Sequence, residues 1–278
     1  MRNPLGPASL FLILSAHSSL LAAQAPPDLE RERSDFTRWL ASDPLSPFAI
    51  VALMPIGAGV SVGPEPSDIL IPGQTRGIAR ESGGGAALEL PSGRVVLPRG
   101  RPVVYEGYRL VSSGLPGKSV LAAYGPIHGY HPPRYFPYDA RLVFTLPMEQ
   151  PERHGAFRIL GLDGTETEAV EAGSVSVPIG GSQSRLRVYR VGDPDRDQES
   201  ELVIFFRDRT NGQGSYPAGR FLELTPKSDG SVLLDFNRAR NPFCAYSTVF
   251  PCPAPWPGNA IAVRLSVGEQ YGPAGGGQ

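Results

Sequence analysis

The chain has 278 residues, 41% hydrophobic and 19% charged, with a formal net charge of −1, the composition of one large globular domain or two small ones. No patch of Lys and Arg large enough to neutralise several phosphates is present, which argues against nucleic acid as a partner. Gly (33) and Pro (30) are abundant but dispersed rather than periodic, which excludes a collagen-like chain and points to many turns between short strands.

Residues 1–25 read as a secretory signal peptide. Arg2 supplies a positive start, Leu10–Leu14 with Leu20-Leu21 a short apolar run, and Ala23-Gln24-Ala25 a small-x-small cleavage site. His17, Ser18 and Ser19 interrupt a run already too short to span a bilayer, so no stable membrane anchor is expected. Removing this segment, whose one charge is Arg2, takes the net charge from −1 to −2. The mature protein is expected from about Pro26, secreted or periplasmic.

Pro27–Ala41 is the best helix, with Leu29, Phe36, Trp39 and Leu40 near helical period and Pro44 closing it. Its expected place is across one edge or end of a sheet. After Pro47 the pattern changes to short apolar or alternating runs bounded by Gly, Pro, Ser or Asp. The first series is Phe48–Met54, Ile69–Ile71, Ala87–Leu90, Val95–Leu97, Val103–Tyr105, Val120–Tyr124 and Leu142–Leu146. The second is Phe157–Leu162, Ser174–Val177, Leu186–Val191, Leu202–Phe206, Phe221–Leu224, Val232–Phe236 and Ile261–Val267. No helical pattern separates them, and parallel sheets need crossover helices. The predicted fold is therefore all-β, a mainly antiparallel β-sandwich or flattened barrel with one N-terminal helix. A single β-rich domain over 26–278 is expected, with a possible sub-boundary near 148–155.

Chemistry-bearing residues concentrate in Leu202–Asn259. Asp208 and Asn211 sit in Asp-Arg-Thr-Asn-Gly, either as a chain reversal or as oxygen ligands for a cation or sugar. Thr225–Gly230 is a strong hairpin turn. A four-residue loop would place Arg220 opposite Asn237 and diagonal to Asp235, whereas Pro226 in the loop would split them across the sheet. In the first register Arg220 either grips a ligand carboxylate or phosphate, with Tyr216 and Asn241 assisting, or forms a structural ion pair with Asp235. Cys244 and Cys252 are the only cysteines, and in an exported chain their simplest use is one disulfide. A thiolate metal site or a catalytic thiol are the alternatives. His128 and His131 are weak metal candidates, with Asp139 or Glu106 as a third ligand. They lie in a Gly- and Pro-rich segment that reads more simply as an aromatic loop covering the sheet. No metal and no cofactor is expected. Nucleophile elbows, phosphate-cradling loops and His-Glu-x-x-His helices are absent from the sequence, which disfavours the common hydrolases, nucleotide enzymes and zinc proteases.

The runs FRDRTNGQGSYPAGRFLEL and DFNRARNPFCAYSTVFPCPAPWPGN resemble the uncharacterised bacterial and archaeal family known as domain of unknown function 1684. The likeness is strong over Phe205–Asn259 and looser back to about Pro47 and forward to Gly268-Glu269. Arg240, where the family usually carries an aromatic, and Ser215, where it more often has Thr, depart from the pattern. The resemblance implies a β-rich fold and a shared C-terminal motif, and implies no activity. Three functional readings follow from the residues. The leading one is an exported protein binding a small polar or anionic ligand in a pocket built by the motif. The others are a hydrolase acting on an envelope polymer or small ester, through Asp235 with Asp208 or Tyr216, and a purely structural motif whose polar groups pin loops together. Whether the chain has protein partners is not legible.

Overall fold

A Pro at the first helical position and Asp28 and Glu30 in the first turn open α1 (Pro27–Ser42), where the missing proline N–H costs nothing and the acids face the positive helix end. The structure, a computed structural model, describes residues 24–73, 75–192, 201–253, 256 and 258–272. The expected signal segment up to residue 23 and the turn at 193–195 lie outside the described residues. Among the described residues α1 is the single α-helix, and no helix is long and apolar enough to cross a membrane. It covers the C-terminal motif rather than a sheet edge. Phe36 packs edge-on to Tyr246, Trp39 tilts against Phe243, and Arg33 donates to the Asn237 carbonyl at 3.1 Å.

Nine short strands follow. They are β1 (Ile50–Pro55), β2 (Val60–Gly63), β3 (Ile69–Leu70), β4 (Gly77–Ser82), β5 (Gly85–Leu90), β6 (Gly93–Pro98), β7 (Val103–Tyr105), β8 (Tyr108–Ser113) and β9 (Val120–Tyr124). They form a four-stranded sheet in the order β1-β9-β8-β7 and a five-stranded sheet in the order β3-β2-β4-β5-β6. Val62, Ile69, Leu88 and Leu97 from one sheet and Leu110 and Leu121 from the other close a common core.

The second half is one seven-stranded sheet in the order β10-β16-β15-β14-β13-β12-β11. Its strands are β10 (Val143–Pro147), β11 (Ala156–Leu160), β12 (Glu166–Ile179), β13 (Ser182–Val191), β14 (Glu201–Phe206), β15 (Arg220–Pro226) and β16 (Ser231–Asp235). The expected meander is present as β12, β13 and β14, turned by Gly180-Gly181 in the left-handed region. Residues 148–155 join β10 to β11, the two outer strands of this sheet. The fold is thus all-β and mainly antiparallel, with open sheets and, among the described residues, one parallel strand pair, β2 with β3.

Alternation along the strands gives the seven-stranded sheet two faces. Ile204, Phe206, Leu222, Leu224 and Leu234 point into the main core, together with Ile261, Leu265 and Val267. Tyr189, Phe205 and Phe221 point the other way, under Trp256. Two local expectations are corrected. Thr225 faces Leu233 and Pro226 faces Val232, so the hairpin loop is Ser228–Gly230, one residue shorter than the four-residue loop expected. Ile261–Val267 forms no strand, because its backbone partners lie in the 207–209 turn and on the Arg220 side chain.

Candidate functional site

The polar residues of the motif fold into three networks. In the first, Asp208 sits just past the end of β14 and its carboxylate is saturated. One oxygen accepts from the Thr210 amide at 2.7 Å, the Thr210 hydroxyl at 2.6 Å and the Leu265 amide at 3.1 Å. The other accepts from Arg220 Nη2 at 2.7 Å. Both side chains of this ion pair are 0% exposed. Arg220 faces Phe206 in the β14–β15 ladder and donates to the carbonyls of Leu265 at 3.0 Å, Glu269 at 3.5 Å and Val267. Asn211 closes the turn, accepting from the Asp208 amide at 2.6 Å and donating to the Tyr216 carbonyl at 2.6 Å. Charges taken this far from water persist only when paired and hydrogen-bonded. Arg220 therefore pins the segment 265–269; it pairs with Asp208 and not with Asp235.

In the second network Asp235 caps the 3-10 turn Phe236–Arg238, accepting from the Asn237 amide at 2.9 Å and its side-chain Nδ2 at 2.8 Å. Asn237, fully buried, also accepts from the Asp139 amide at 2.9 Å and donates to the Asp139 carbonyl at 3.0 Å. It thereby ties down the loop that carries the two candidate histidines. His128 is exposed, and His131 stands edge-on to Phe48 at 5.1 Å. Among the described residues no three His, Cys, Asp or Glu side chains come together as metal ligands.

The third network opens to solvent. A cleft of about 370 Å³ lies between the loop His131–Arg134 and the segments around Asn241–Tyr246 and Glu269–Gly272. At its floor the Glu269 carboxylate, 1% exposed, accepts from the Asn241 amide at 2.9 Å and from the Tyr246 hydroxyl at 2.5 Å. Burial pushes the Glu269 carboxyl up to about 7, against the lowering effect of those two donors. Burial and the neighbouring Glu269 charge also raise Tyr246. Asn241 donates to the Gln270 carbonyl at 3.0 Å, while its side-chain oxygen, buried at 2% residue exposure, has no partner among the described residues. Asn241 is the sequence-predicted residue that lines this cleft. Glu269 and Tyr246 were not predicted to belong to a site. The one available signal was Gly268-Glu269 at the edge of the motif.

Gly268 explains how Glu269 reaches the floor. It holds φ +72°, and a Cβ there would come within 2.8 Å of the Ala239 carbonyl oxygen. Gly268→Ala is expected to cost about 1–3 kcal/mol through left-handed strain alone, with further loss from the close approach. A thermal melt unchanged from wild type would contradict this placement.

The expected Cys244–Cys252 disulfide is absent, and both residues are free cysteines. Each sulfur lies 3.2 Å from the Tyr216 hydroxyl. The two thiols converge on that phenol oxygen and do not reach the roughly 2.0 Å separation of a sulfur–sulfur bond. Burial pushes the Cys244 thiol up to about 12, and the Cys252 sulfur beside it acts in the same direction. A buried thiol so shifted is an inert one. Tyr216, 8% exposed, holds its hydroxyl between these two sulfurs.

No curated protein matches the chain. A solution NMR structure of the uncharacterized protein from gene locus rrnAC0354 of Haloarcula marismortui is similar at 31% sequence identity, over 51% of this chain and 77% of that one, with a TM-score of 0.43. The family model described as protein of unknown function (DUF1684) matches residues 128–270, more than half of the chain. That span holds the seven-stranded sheet and all three networks. The chain belongs to the DUF1684 family.

Proposed function

We propose that this is an exported binding protein whose cleft over Asn241 and Glu269 takes a small polar ligand rich in hydrogen-bond donors. The observation that carries the reading is the Asn241 side-chain oxygen, an acceptor buried without a partner among the described residues. A buried acceptor left unpaired is costly and uncommon, and a ligand donor would satisfy it. Beside it the Glu269 carboxylate is a second acceptor at the floor of a cleft of about 370 Å³, within the size range of small-molecule sites. Arg220, the residue that would favour a carboxylate or phosphate, is sealed in the first network. The ligand chemistry this leaves is hydroxyl, amide or ammonium rather than anionic. Export is supported by the apolar run and small-residue boundary of residues 1–25.

Thermal-shift measurements with sugars, polyols, small amines and small carboxylates test the reading. Members of the first three classes are expected to raise the melting temperature, and Asn241→Leu and Glu269→Gln are expected to abolish the rise. Stabilisation by carboxylates alone, or by nothing in the set, would end it. N-terminal sequencing of protein recovered outside the cytoplasm should begin near Pro26, and a Met1 start would sink the export half.

The Glu269–Tyr246 pair also favours a second reading, a hydrolase in which Glu269 is the general base. A carboxyl near neutrality in a cleft is suited to proton transfer. Ester turnover abolished in Glu269→Gln with the fold intact would support it, and turnover unaffected by that change would exclude this assignment.

A further inference from the structure

The outward face of the seven-stranded sheet carries a second and larger cleft, about 640 Å³, that neither the motif networks nor the proposed function uses. Because Val203 faces Glu223 and Phe205 faces Phe221 across β14 and β15, the residues Glu201, Val203, Phe221 and Glu223 share this face. The floor is apolar and aromatic, from Ile159, Val191, Val203, Phe221 and Trp256. Phe221 stacks on Phe205 at 4.2 Å and meets Trp256 edge-on at 6.0 Å.

The charges lining the cleft are unequally satisfied. Arg238 is paired with Asp28, Glu32 and Asp235, and Arg240 with Glu32. Glu201 and Glu223, one cross-strand diagonal apart on the rim, have no ion pair or hydrogen bond among the described residues. The unpaired charge of the cleft is therefore negative. Independently, the indole N–H of Trp256, a residue only 6% exposed, is buried without a partner. A donor in that position needs an acceptor that the described residues do not supply.

We propose that this cleft is a second binding site, for an organic cation that carries a primary ammonium and a hydrogen-bond acceptor on an apolar body. The ammonium sits between Glu201 and Glu223, the body covers the Phe221–Trp256 floor, and the acceptor takes the indole N–H. The volume is that of a drug-sized ligand site. Burial and the neighbouring Glu201 charge raise the Glu223 carboxyl, against the lowering effect of Arg240, a direction that a bound cation would oppose.

A charge series of one shape tests this. Phenylalaninamide is the cation, N-acetylphenylalaninamide the neutral analogue and N-acetylphenylalanine the anion. The chain has two tryptophans, so Trp39→Phe leaves Trp256 as the sole tryptophan reporter. Calorimetry on the wild type guards against any effect of that change. Phenylalaninamide is expected to shift the Trp256 emission saturably and to bind about tenfold more tightly than the neutral analogue. The double variant Glu201→Gln, Glu223→Gln should lose that preference while keeping its affinity for the neutral analogue, which also reports an intact fold. Equal binding of all three compounds, tightest binding of the anion, or no saturable signal from any of them would each overturn the proposal.

Discussion

Arg220→Ala is expected to remove roughly 3–5 kcal/mol of folding stability, the usual consequence of breaking a buried ion pair by deleting one partner. The side chain is 0% exposed and the Asp208 carboxylate it neutralises is equally buried. The substitution would leave that charge in an apolar surrounding and would release the carbonyls of Leu265, Val267 and Glu269 from their donors. Against a total of roughly 5–15 kcal/mol for a folded domain, the loss is large enough to unfold a marginal protein. Arg220→Lys should recover only a minor part, because one ammonium cannot present the fork that reaches Asp208 and the 265–269 carbonyls together. Asp208→Asn keeps the cap on the 208–210 turn but leaves the buried Arg220 guanidinium without its counter-charge, so a loss of comparable size is expected. Chemical denaturation reads all three. An Arg220→Ala protein melting within a degree or two of wild type would show that the guanidinium is dispensable to the fold and would reopen the ligand-facing role.

That outcome was only half legible in the sequence. The residues are crowded into one polar stretch, and a polar stretch between apolar strands has two physical solutions, inward pairing or an open pocket. Choosing between them depends on what covers Arg220. Its cover is the segment 265–269, more than forty residues downstream, whose alternating Ile261, Val263, Leu265 and Val267 read locally as a strand. They form no strand, because Arg220 and the 207–209 turn take the hydrogen bonds a neighbouring strand would have taken. The Arg220–Asp235 pairing failed for a simpler reason, a hairpin loop one residue shorter than expected, which shifts the opposing residue by one. Strands bounded by clear breakers were legible: Val120–Tyr124, between Ser119 and Gly125, was read to the residue. Only Ser174–Val177 was read out of the 14 residues of β12, because its first half alternates Thr, Glu and Ala and lacks an apolar face. Glu269 carried no local signature beyond its place after Gly268 at the edge of the motif. Its burial comes from Asn241, Tyr246 and the 134–136 loop, which meet only in the folded chain.

Stability is expected to fall as pH rises from about 4.5 to about 7, and Glu269 is the cause. Its carboxyl is raised from an ordinary 4.5 to about 7 in the folded state. Between those values the native protein holds a proton that the unfolded chain has released, so unfolding is linked to proton loss and stability declines with pH. Below the unfolded value the contribution is fully present, and above about 7 it is gone. A displacement of this size corresponds to about 3 kcal/mol at roughly 1.4 kcal/mol per unit. Glu269→Gln should abolish this slope, matching wild type near pH 4.5 and exceeding it at pH 8. Every other group is common to both proteins, so the difference between the two denaturation series isolates the carboxyl. Tyr246→Phe removes a donor to the carboxylate, which should raise the Glu269 midpoint further and extend the decline above pH 7. A ligand that brings an ammonium or hydroxyl to Glu269 should restore stability at pH 8 and bind with proton release near pH 6, the sign expected of a group whose charged form the ligand favours. A constant difference between wild type and Glu269→Gln from pH 4 to 8 would show that the carboxyl keeps its ordinary acidity, and the cleft would then lack the buried proton that separates it from a surface groove.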